Sequence, residues 1–376
     1  MATVTDFDKA LKEQKDYDRS SEWNEAGWTG KGVNIWNMES PDTGHGKTTH
    51  RRVLDAAPNA NVITISIHGR FSNGEAIEEG VEGYGTAEDF IETENIDICT
   101  ASIGGRNTYG SSKFYNRLRD TYNLTMFESA GNEGEKGTSG GPGPFFFIGA
   151  CNFIKGKPMM AGYSSEGHKL DEVDFSTFAG PGTAGTSFSS PYLAGLTALL
   201  FQRYGKMTYE EVYTFYKMIV EPIETGGSWD EVEYYDYKSG WGIPILPHLN
   251  QKFLRLIIDN THYKVDGIEK ITDVAPFIKD SRTFVPIAFV ALELGANVSW
   301  NDKTREVIIS KNGNIITMTI DNPEYEVNGI KKTMDTAPFI KNRRTCVPLA
   351  FIALELGCKV SWIASKREVF ILEGEE

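Results

Sequence analysis

The sequence predicts an α/β protein in two parts: a doubly wound, mostly parallel sheet over residues 1–253, then a smaller α+β domain made of a tandem repeat. Three observations carry this prediction. β-rich runs alternate with helical stretches in the first part, a 62-residue repeat fills the second, and the two parts differ in charge. The net charge of −14 divides into −13 for residues 1–253 and −1 for residues 254–376.

The first part contains strands separated by helices. Helical stretches at 86–92 and 111–122 fall among four β-rich runs, which lie at 32–38, 60–67, 96–103 and 124–130. Such an order forms βαβ crossovers, which place helices on both faces of a mostly parallel sheet. Functional side chains are therefore expected at the carboxyl ends of the strands.

The second part is a duplication. Tyr263-Lys-Val-Asp-Gly-Ile recurs as Tyr325-Glu-Val-Asn-Gly-Ile, and the match continues without a gap to the end of both copies. This predicts units at 254–314 and 315–376. Each has a short helix, 288–294 in the first copy, and a hairpin formed by 298–300 and 306–309. Trp300 and Trp362 are expected in the core.

Composition excludes several classes of protein. With 40% apolar and 24% charged residues the chain is an ordinary globular protein, and no apolar run approaches the ~20 residues of a membrane span. The net charge of −14 disfavours nucleic acid as a partner. The amino terminus lacks the apolar core of a secretory signal, which predicts a cytoplasmic protein by default and leaves open release or surface association by another route.

The four cysteines are far apart and form no Cys-x-x-Cys pair. This spacing argues against a disulfide framework or a zinc site, so free thiols are expected. The cysteines are Cys99, Cys151, Cys346 and Cys358. The sequence predicts neither a metal nor a cofactor.

Ser187 lies behind a Gly-Thr turn at the start of an apolar helix, in Gly185-Thr-Ser-Phe-Ser-Ser-Pro-Tyr-Leu-Ala-Gly195. Unsatisfied N–H groups and the helix dipole at such a position would stabilise an oxyanion beside Ser187. The alternative is an ordinary N-capping serine, and the segment alone favours that cap.

This segment resembles the nucleophile motif of the subtilases, the subtilisin-like serine proteases, and implies a subtilisin-like fold. The family also has a catalytic histidine in a His-Gly motif at a helix start, and His45-Gly46 matches it. His50 is a competitor that lacks the following glycine. The resemblance further implies an oxyanion-binding asparagine in an Ala-Gly-Asn turn, which Asn132 supplies.

The acid of the implied triad departs from the family. The first-strand motif aligns without a gap on Thr29-Gly-Lys-Gly-Val-Asn-Ile-Trp-Asn-Met-Glu39, so Glu39 takes the place of the usual aspartate. A glutamate can still accept the Nδ1 proton of His45 and stabilise the imidazolium. Asp42, in the nearby Asp-Thr-Gly string, is the alternative acid.

Chain order separates the classes of serine hydrolase. The order acid, His, Ser is that of subtilisin, whereas α/β-hydrolases run Ser, acid, His; a serine esterase is disfavoured on this ground. Two segments resemble the family's substrate-binding strands and are expected as edge strands that hold an extended peptide. Their residues are Ser102, Ile103, Gly104, Gly105, Ser129, Ala130 and Gly131.

The two repeats resemble the copper amine oxidase N-terminal-like module. Copper is not expected, because imidazole is its usual ligand and His262 is the one histidine in residues 254–376. A folding or spacer role and a binding role, toward a cell surface or a partner protein, stay equally open.

The sequence therefore predicts a serine endopeptidase that acts on protein or peptide substrates. Glu39, His45 and Ser187 form the triad, and Asn132 assists the oxyanion hole. The alternative is a catalytically impaired, protease-like binding protein that acts through its C-terminal repeats.

Overall fold

The computed structural model describes residues 4–72, 75–102, 112–134, 144–154, 156–165, 173–223, 236 and 239–375. The chain divides into two compact units, Met1–Pro247 and His248–Glu376. Within the described ranges, none of the helices is both long enough and apolar enough to cross a membrane. The predicted division into 1–253, 254–314 and 315–376 stays a prediction.

The first unit alternates helices and strands. Its described helices are α1 (Val4–Tyr17), α2 (Ser20–Glu25), α3 (Gly44–Ala56), α4 (Ala87–Glu94), α5 (Ser112–Tyr122), α6 (Ser189–Tyr204) and α7 (Tyr209–Ile219). Its described strands are β1 (Asn34–Asn37), β2 (Asn61–Thr64), β3 (Ile67–Ser72), β4 (Glu75–Val81), β5 (Ile98–Ala101), β6 (Thr125–Ser129), β7 (Phe146–Ile154), β8 (Lys157–Met160), β9 (Phe175–Phe178), β10 (Val220–Glu221) and β11 (Ile243–Pro244).

The main sheet has the order β2-β1-β5-β6-β7-β8, and β9 also pairs with β7. All of these pairings are parallel except that of β7 with β8. The predicted doubly wound, mostly parallel sheet is confirmed. The helix predicted at 86–92 is α4, whose capping residue Thr86 accepts a hydrogen bond from Asp89 N.

Apolar residues cover both faces of this sheet. On one face, Trp36 and Met126 pack with Phe90 of α4 and Phe114 of α5. On the other face, α6 contacts strands β5, β6, β7 and β9 and also packs against α3. Almost every residue of α6 is buried, because the sheet lies on one side of it and α3 on another.

The second unit is antiparallel. Its helices are α8 (Ile287–Glu293) and α9 (Leu349–Glu355). The strands of the first copy are β12 (Phe253–Ile257), β13 (His262–Val265), β14 (Ile268–Ile271), β15 (Phe277–Lys279), β16 (Arg282–Pro286), β17 (Asn297–Asn301) and β18 (Glu306–Lys311). Those of the second copy are β19 (Asn314–Thr319), β20 (Glu324–Val327), β21 (Ile330–Thr333), β22 (Phe339–Lys341), β23 (Arg344–Pro348), β24 (Lys359–Ile363) and β25 (Glu368–Leu372).

The two copies of the repeat share their sheets. One sheet has the order β14-β13-β12-β25-β24, and another has the order β17-β18-β19-β20-β21. Each joins the beginning of one copy to the end of the other, and β16 pairs with β23 across the middle. The copies also bury their apolar residues in one common core.

The elements predicted within each copy are confirmed, but the burial of the two tryptophans is not. The hairpin pairs Val298 with Ile309, and α8 ends before Gly295, which has a positive φ of 74°. Trp300 and Trp362 are each 43% exposed, so the expectation that they lie in the core is wrong. Trp300 lies on the same face of the hairpin as Val298 and is paired with Val307, but it is at the margin of the common core, where its indole reaches solvent.

All four cysteines are buried free thiols, as the spacing predicted. Burial raises the pKa of the Cys99 and Cys151 thiols well above the usual range. Both sulfurs therefore stay protonated and act as small apolar groups of the core.

The approach of α3 to α6 depends on Gly195. A Cβ atom at this position would lie 2.5 Å from the carbonyl oxygen of Val53 and 2.8 Å from the Cβ of Ala56. Real Cβ atoms are not found this close to backbone, so only glycine allows the two helices to pack at this distance. The spacing of the helices fixes the spacing of the side chains at their N-terminal ends.

We expect Gly195→Ala to destabilise the first unit by about 1–3 kcal/mol, because the added methyl group must push α3 away from α6. In an exposed helix a Gly→Ala substitution raises the free energy of unfolding by about 1 kcal/mol, so a decrease at position 195 would indicate a steric clash with α3. Urea unfolding measures the free energy of unfolding. Gly162→Ala is the matched control, since a Cβ there meets no atom within 4 Å; equal free energies of unfolding for the two variants would contradict the packing argument.

Candidate active site

His45 is the second residue of α3. The helix is capped by Thr43, whose Oγ1 accepts a hydrogen bond of 2.9 Å from Gly46 N. A Cβ at Gly46 would lie only 2.0 Å from the carbonyl oxygen of Ser40. The glycine after the histidine is therefore required by the tight path of the chain into the helix, which brings His45 back toward the end of β1.

Glu39 lies just beyond the carboxyl end of β1 and contacts His45. Its Oε2 is 3.3 Å from Nδ1 of His45. The Glu39 side chain is 12% exposed and that of His45 is 41% exposed, so the pair is accessible from the histidine side. Asp42 is exposed, and within the described ranges its side chain makes no hydrogen bond or ion pair. The structure thus brings Glu39, and not Asp42, to the imidazole.

The competing histidine, His50, has a different environment. Its Nδ1 lies 2.8 Å from Oγ1 of Thr64, and the side chain is half-buried against β2. Burial lowers the pKa of His50, which keeps this imidazole neutral at pH 7. His50 is a structural residue of the contact between α3 and the sheet.

Ser187 lies in a short 3₁₀ turn, Thr186–Phe188, immediately before α6. Its hydroxyl donates to the carbonyl oxygen of Ser102 at 3.2 Å, and Ser102 Oγ donates in return to the Ser187 carbonyl at 2.7 Å. The N-cap positions of this turn and of α6 are held by Gly185 and Phe188, not by Ser187, and neither helix start has a side-chain capping hydrogen bond. The alternative role of Ser187 as a helix cap is therefore wrong.

His45 lies beside the turn that carries Ser187. Its ring is 5.5 Å from the ring of Phe188, measured between centroids. The Ser187 hydroxyl points to Ser102 and not to the imidazole. The hydroxyl would have to leave the Ser102 carbonyl before it could donate to His45, and hydrogen bonds of this kind are often loose before substrate binds.

Asn132 is oriented by the residue before Ser187. The Thr186 N–H donates to Oδ1 of Asn132 at 2.8 Å, and Gly131 N donates to Oγ1 of Thr186 at 3.1 Å. Because Oδ1 is occupied as an acceptor, Nδ2 is the donor of the side chain, and it has no acceptor among the residues that the structure describes. The amide is assigned this way by its hydrogen bonds.

The turn that carries Asn132 is fixed from a second side. Glu133 accepts a hydrogen bond of 2.9 Å from the Asn132 N–H and another of 2.8 Å from Oγ of Ser165. Ser165 N donates to the Gly131 carbonyl at 3.0 Å. The sequence predicts no role for Thr186, Glu133 or Ser165: Thr186 and Glu133 adjoin the motif residues, and the segment 163–167 that contains Ser165 resembles the family without indicating this contact.

The residues expected to bind substrate lie at strand ends. Ser102 follows β5, and Ser129 ends β6, with Ala130 and Gly131 directly after it. Ile103, Gly104 and Gly105 lie outside the described residues. An edge strand at Ser129 is wrong, because β6 pairs with β5 on one side and β7 on the other, and Ala130 N continues the pairing to the Ile148 carbonyl.

A buried arginine links the histidine helix to the serine turn. Arg52 of α3 is 3% exposed, and its guanidinium donates to the carbonyls of Phe188 (3.4 Å) and Phe178 (3.0 Å). Asp55 balances its charge at 2.6 Å. Since Phe188 follows Ser187 directly, Arg52 is a positioning residue that holds α3 against the turn.

Asp18 extends this network to the junction of α1 and α2. The guanidinium of Arg52 lies over the Tyr192 ring at 4.4 Å, and the Tyr192 hydroxyl donates to Asp18 at 2.6 Å. Ser20 N donates to the other oxygen of Asp18 at 2.9 Å. Asp18 is fully buried, and this desolvation raises its pKa to about 6 despite the two hydrogen bonds. Neither Arg52 nor Asp18 belongs to a sequence motif.

No group of three or more His, Cys, Asp or Glu side chains suitable for a metal ion is found among the described residues.

Comparison with known proteins gives two separate matches. Residues 264–371 match the family model of the copper amine oxidase N-terminal domain. Subtilisin DY of Bacillus licheniformis is 26% identical over 175 residues, which are 43% of this chain and 61% of the relative. Subtilisin E of Bacillus subtilis (strain 168) is 25% identical over 173 residues, 43% of this chain and 44% of the relative. The match thus spans less than two thirds of each of these relatives.

Two solved structures similar to this chain are Sphericase and MycP1. Sphericase has a TM-score of 0.44 and 16% identity, over 58% of this chain and 93% of that structure. The serine protease MycP1 of a type VII secretion system has a TM-score of 0.42 and 15% identity, over 62% and 86%.

We expect the buried carboxyl of Asp18 to make the stability of the first unit depend on pH. Its pKa is about 6 in the folded chain against an ordinary 3.8, so the folded state binds the proton more tightly. The free energy of unfolding should therefore fall as the pH rises from about 4 to about 6, by up to about 3 kcal/mol, and then level off.

Asp18→Asn removes this titration. Urea unfolding at pH 4, 5, 6 and 7 should show the variant gaining stability relative to wild type through that window and no further change above it. A constant difference between the two proteins across the four pH values would contradict the assignment.

Proposed function

We propose that the chain is a serine endopeptidase, a function supported by its similarity to the subtilisins. The observation that carries the proposal is the contact of Glu39 Oε2 with His45 Nδ1, 3.3 Å long, beside the turn of Ser187. An acid on Nδ1 leaves Nε2 as the base that a serine hydroxyl needs.

In the proposed reaction, His45 accepts the hydroxyl proton of Ser187 as the oxygen attacks the peptide carbonyl. This step begins when the hydroxyl leaves the Ser102 carbonyl and turns to Nε2 of His45. The imidazolium that forms is stabilised by Glu39 and returns its proton to the leaving amine. Water then hydrolyses the acyl-enzyme by the same two proton transfers.

The oxyanion of the tetrahedral intermediate is bound by Nδ2 of Asn132 and by the backbone N–H of Ser187. The role of Asn132 is supported by the hydrogen bond from Thr186 to its Oδ1, which orients Nδ2 as a donor. In subtilisin itself, loss of the corresponding amide lowers turnover by about 10²- to 10³-fold.

A catalytically impaired binding protein is the second candidate. It is favoured by one observation, namely that the Ser187 hydroxyl donates to Ser102 and not to His45. Incubation with a peptide pool derived from a proteome, followed by mass spectrometry of the products, separates the two candidates. An endopeptidase produces internal cleavages that Ser187→Ala abolishes, whereas the binding protein leaves the pool intact.

We expect a fluorophosphonate probe to label the wild-type chain and to fail on Ser187→Ala, because the probe reacts only with an activated serine hydroxyl. Ser189→Ala is the matched control. Ser189 is two residues away, and its buried Oγ has no hydrogen-bond partner in the described part of the chain, so its loss should leave labelling intact. Equal labelling of Ser187→Ala and wild type would refute the assignment of the nucleophile.

We expect Glu39→Gln to lower kcat/KM by about 10²- to 10⁴-fold, because a neutral amide neither fixes the productive tautomer of His45 nor stabilises its imidazolium. Asp42→Asn should change kcat/KM by less than about threefold, since Asp42 does not contact the histidine. Steady-state cleavage of a fluorogenic peptide measures both. The reverse result would make Asp42 the acid of the triad.

A further inference from the structure

A cavity of about 490 Å³ opens on the surface of the second unit. Its floor is apolar and is formed by Pro286, Ile287, Val298 and Val307. The indole of Trp300, 43% exposed, forms one wall. A cavity of this size and lining can accept one or two amino-acid side chains, or a ligand of similar volume.

The rim of this cavity carries charges. Arg344 is engaged, because its guanidinium contacts Asp273. Arg343 is exposed, and within the described residues it has no hydrogen-bond or ion-pair partner. Asp302 lies beside the indole and accepts a hydrogen bond of 3.4 Å from Nε1 of Trp300. The cavity therefore presents one free guanidinium above an apolar floor.

The position of Arg343 is fixed by a tight turn. Asn342 and Arg343 have φ values of 50° and 62° and connect β22 to β23, whose ends pair at Lys341 and Arg344. Positive φ at both central residues is the geometry of a two-residue hairpin turn, where glycine is preferred to a long side chain. The arginine is thus placed at the rim by a rigid hairpin.

The duplication provides an internal comparison. The cavity combines residues of both copies, and so does the surface equivalent to it at 62 residues' offset, which keeps the apolar parts with Trp362 and Ile278 in place of Trp300 and Ile340. That surface has Ser281 in place of Arg343 and Ala364 in place of Asp302. Since the same helices and strands form around it without either charge, the charges of the cavity are not needed for the fold.

We propose that this cavity binds the free carboxyl end of a peptide whose last side chain is apolar. Arg343 pairs with the terminal carboxylate, and the apolar side chain lies on the floor against Trp300. An acidic sugar would also offer a carboxylate to Arg343. It would, however, place hydroxyl groups on a floor of proline, valine and isoleucine that cannot bond them, which is unfavourable.

The site is argued from its own residues and stands or falls independently of the proposed reaction. The test uses the full chain with Ser187→Ala, so that no peptide is cleaved whatever the activity of the first unit. The probes are acetyl-Ala-Ala-Phe as the free acid and the same peptide as the carboxamide, titrated by calorimetry. The free acid is expected to bind at least tenfold more tightly than the amide.

Arg343→Ser should abolish the difference between the acid and the amide. Serine is what the chain itself carries at the equivalent turn position, so this variant should fold. Trp300→Ala should weaken binding of the acid at least tenfold, whereas Trp362→Ala should leave it unchanged. These two changes remove equally exposed indoles from equivalent hairpins, so a general effect on folding would appear in both.

Three results would each overturn the proposal. The first is equal binding of the acid and the amide by the Ser187→Ala chain. The second is an equal loss of affinity in Trp300→Ala and Trp362→Ala. The third is binding of glucuronic acid at least as tight as that of the peptide acid, which would make the cavity a site for acidic sugars.

Discussion

The close contact of α3 with α6 is the constraint on which the candidate site depends. His45 stands at the start of one helix, and Ser187 lies in the turn that leads into the other. Neither residue is near the other in sequence, and the sheet alone does not set their separation. Gly195 lets the backbone of α6 approach Val53, and Arg52 joins α3 to the carbonyl of Phe188. The first contact is possible because Gly195 has no side chain, and the second is made by the long side chain of Arg52.

The motif residues could be predicted because each has a local requirement. The glycine after His45 is needed where the chain passes within 2.0 Å of a hypothetical Cβ, and the carboxyl ends of parallel strands place Glu39 and Asn132 on one edge of the sheet. Glu39 is predicted as the acid in preference to Asp42 because the first-strand motif aligns with the chain without a gap. The contact with His45 agrees with that alignment, and the roles of these residues in catalysis stay predictions.

The supporting residues could not be predicted, because their partners are distant in sequence. From the local sequence, Arg52 is one more charged residue on an amphipathic helix, because the carbonyl groups that it contacts lie 126 and 136 residues away in the chain. Asp18 reads as a polar residue between two helices, although it is fully buried. The tryptophans of the repeat are the reverse case, since the sequence predicts them in the core and they are exposed. Val298 and Trp300 lie on the same face of their strand, but the pattern Val-x-Trp does not say where along that face the core ends.

The exchange of strands between the copies determines where the second unit begins and ends. Its first strand, β12, lies antiparallel beside its last, β25, with Phe253 opposite Leu372. The two ends of the unit therefore lie side by side on neighbouring inner strands of one sheet. A module with adjacent ends adds almost no reach to a polypeptide that passes through it, however many residues it contains. This geometry weighs against the use of the repeats as a spacer, because a spacer needs its two ends far apart.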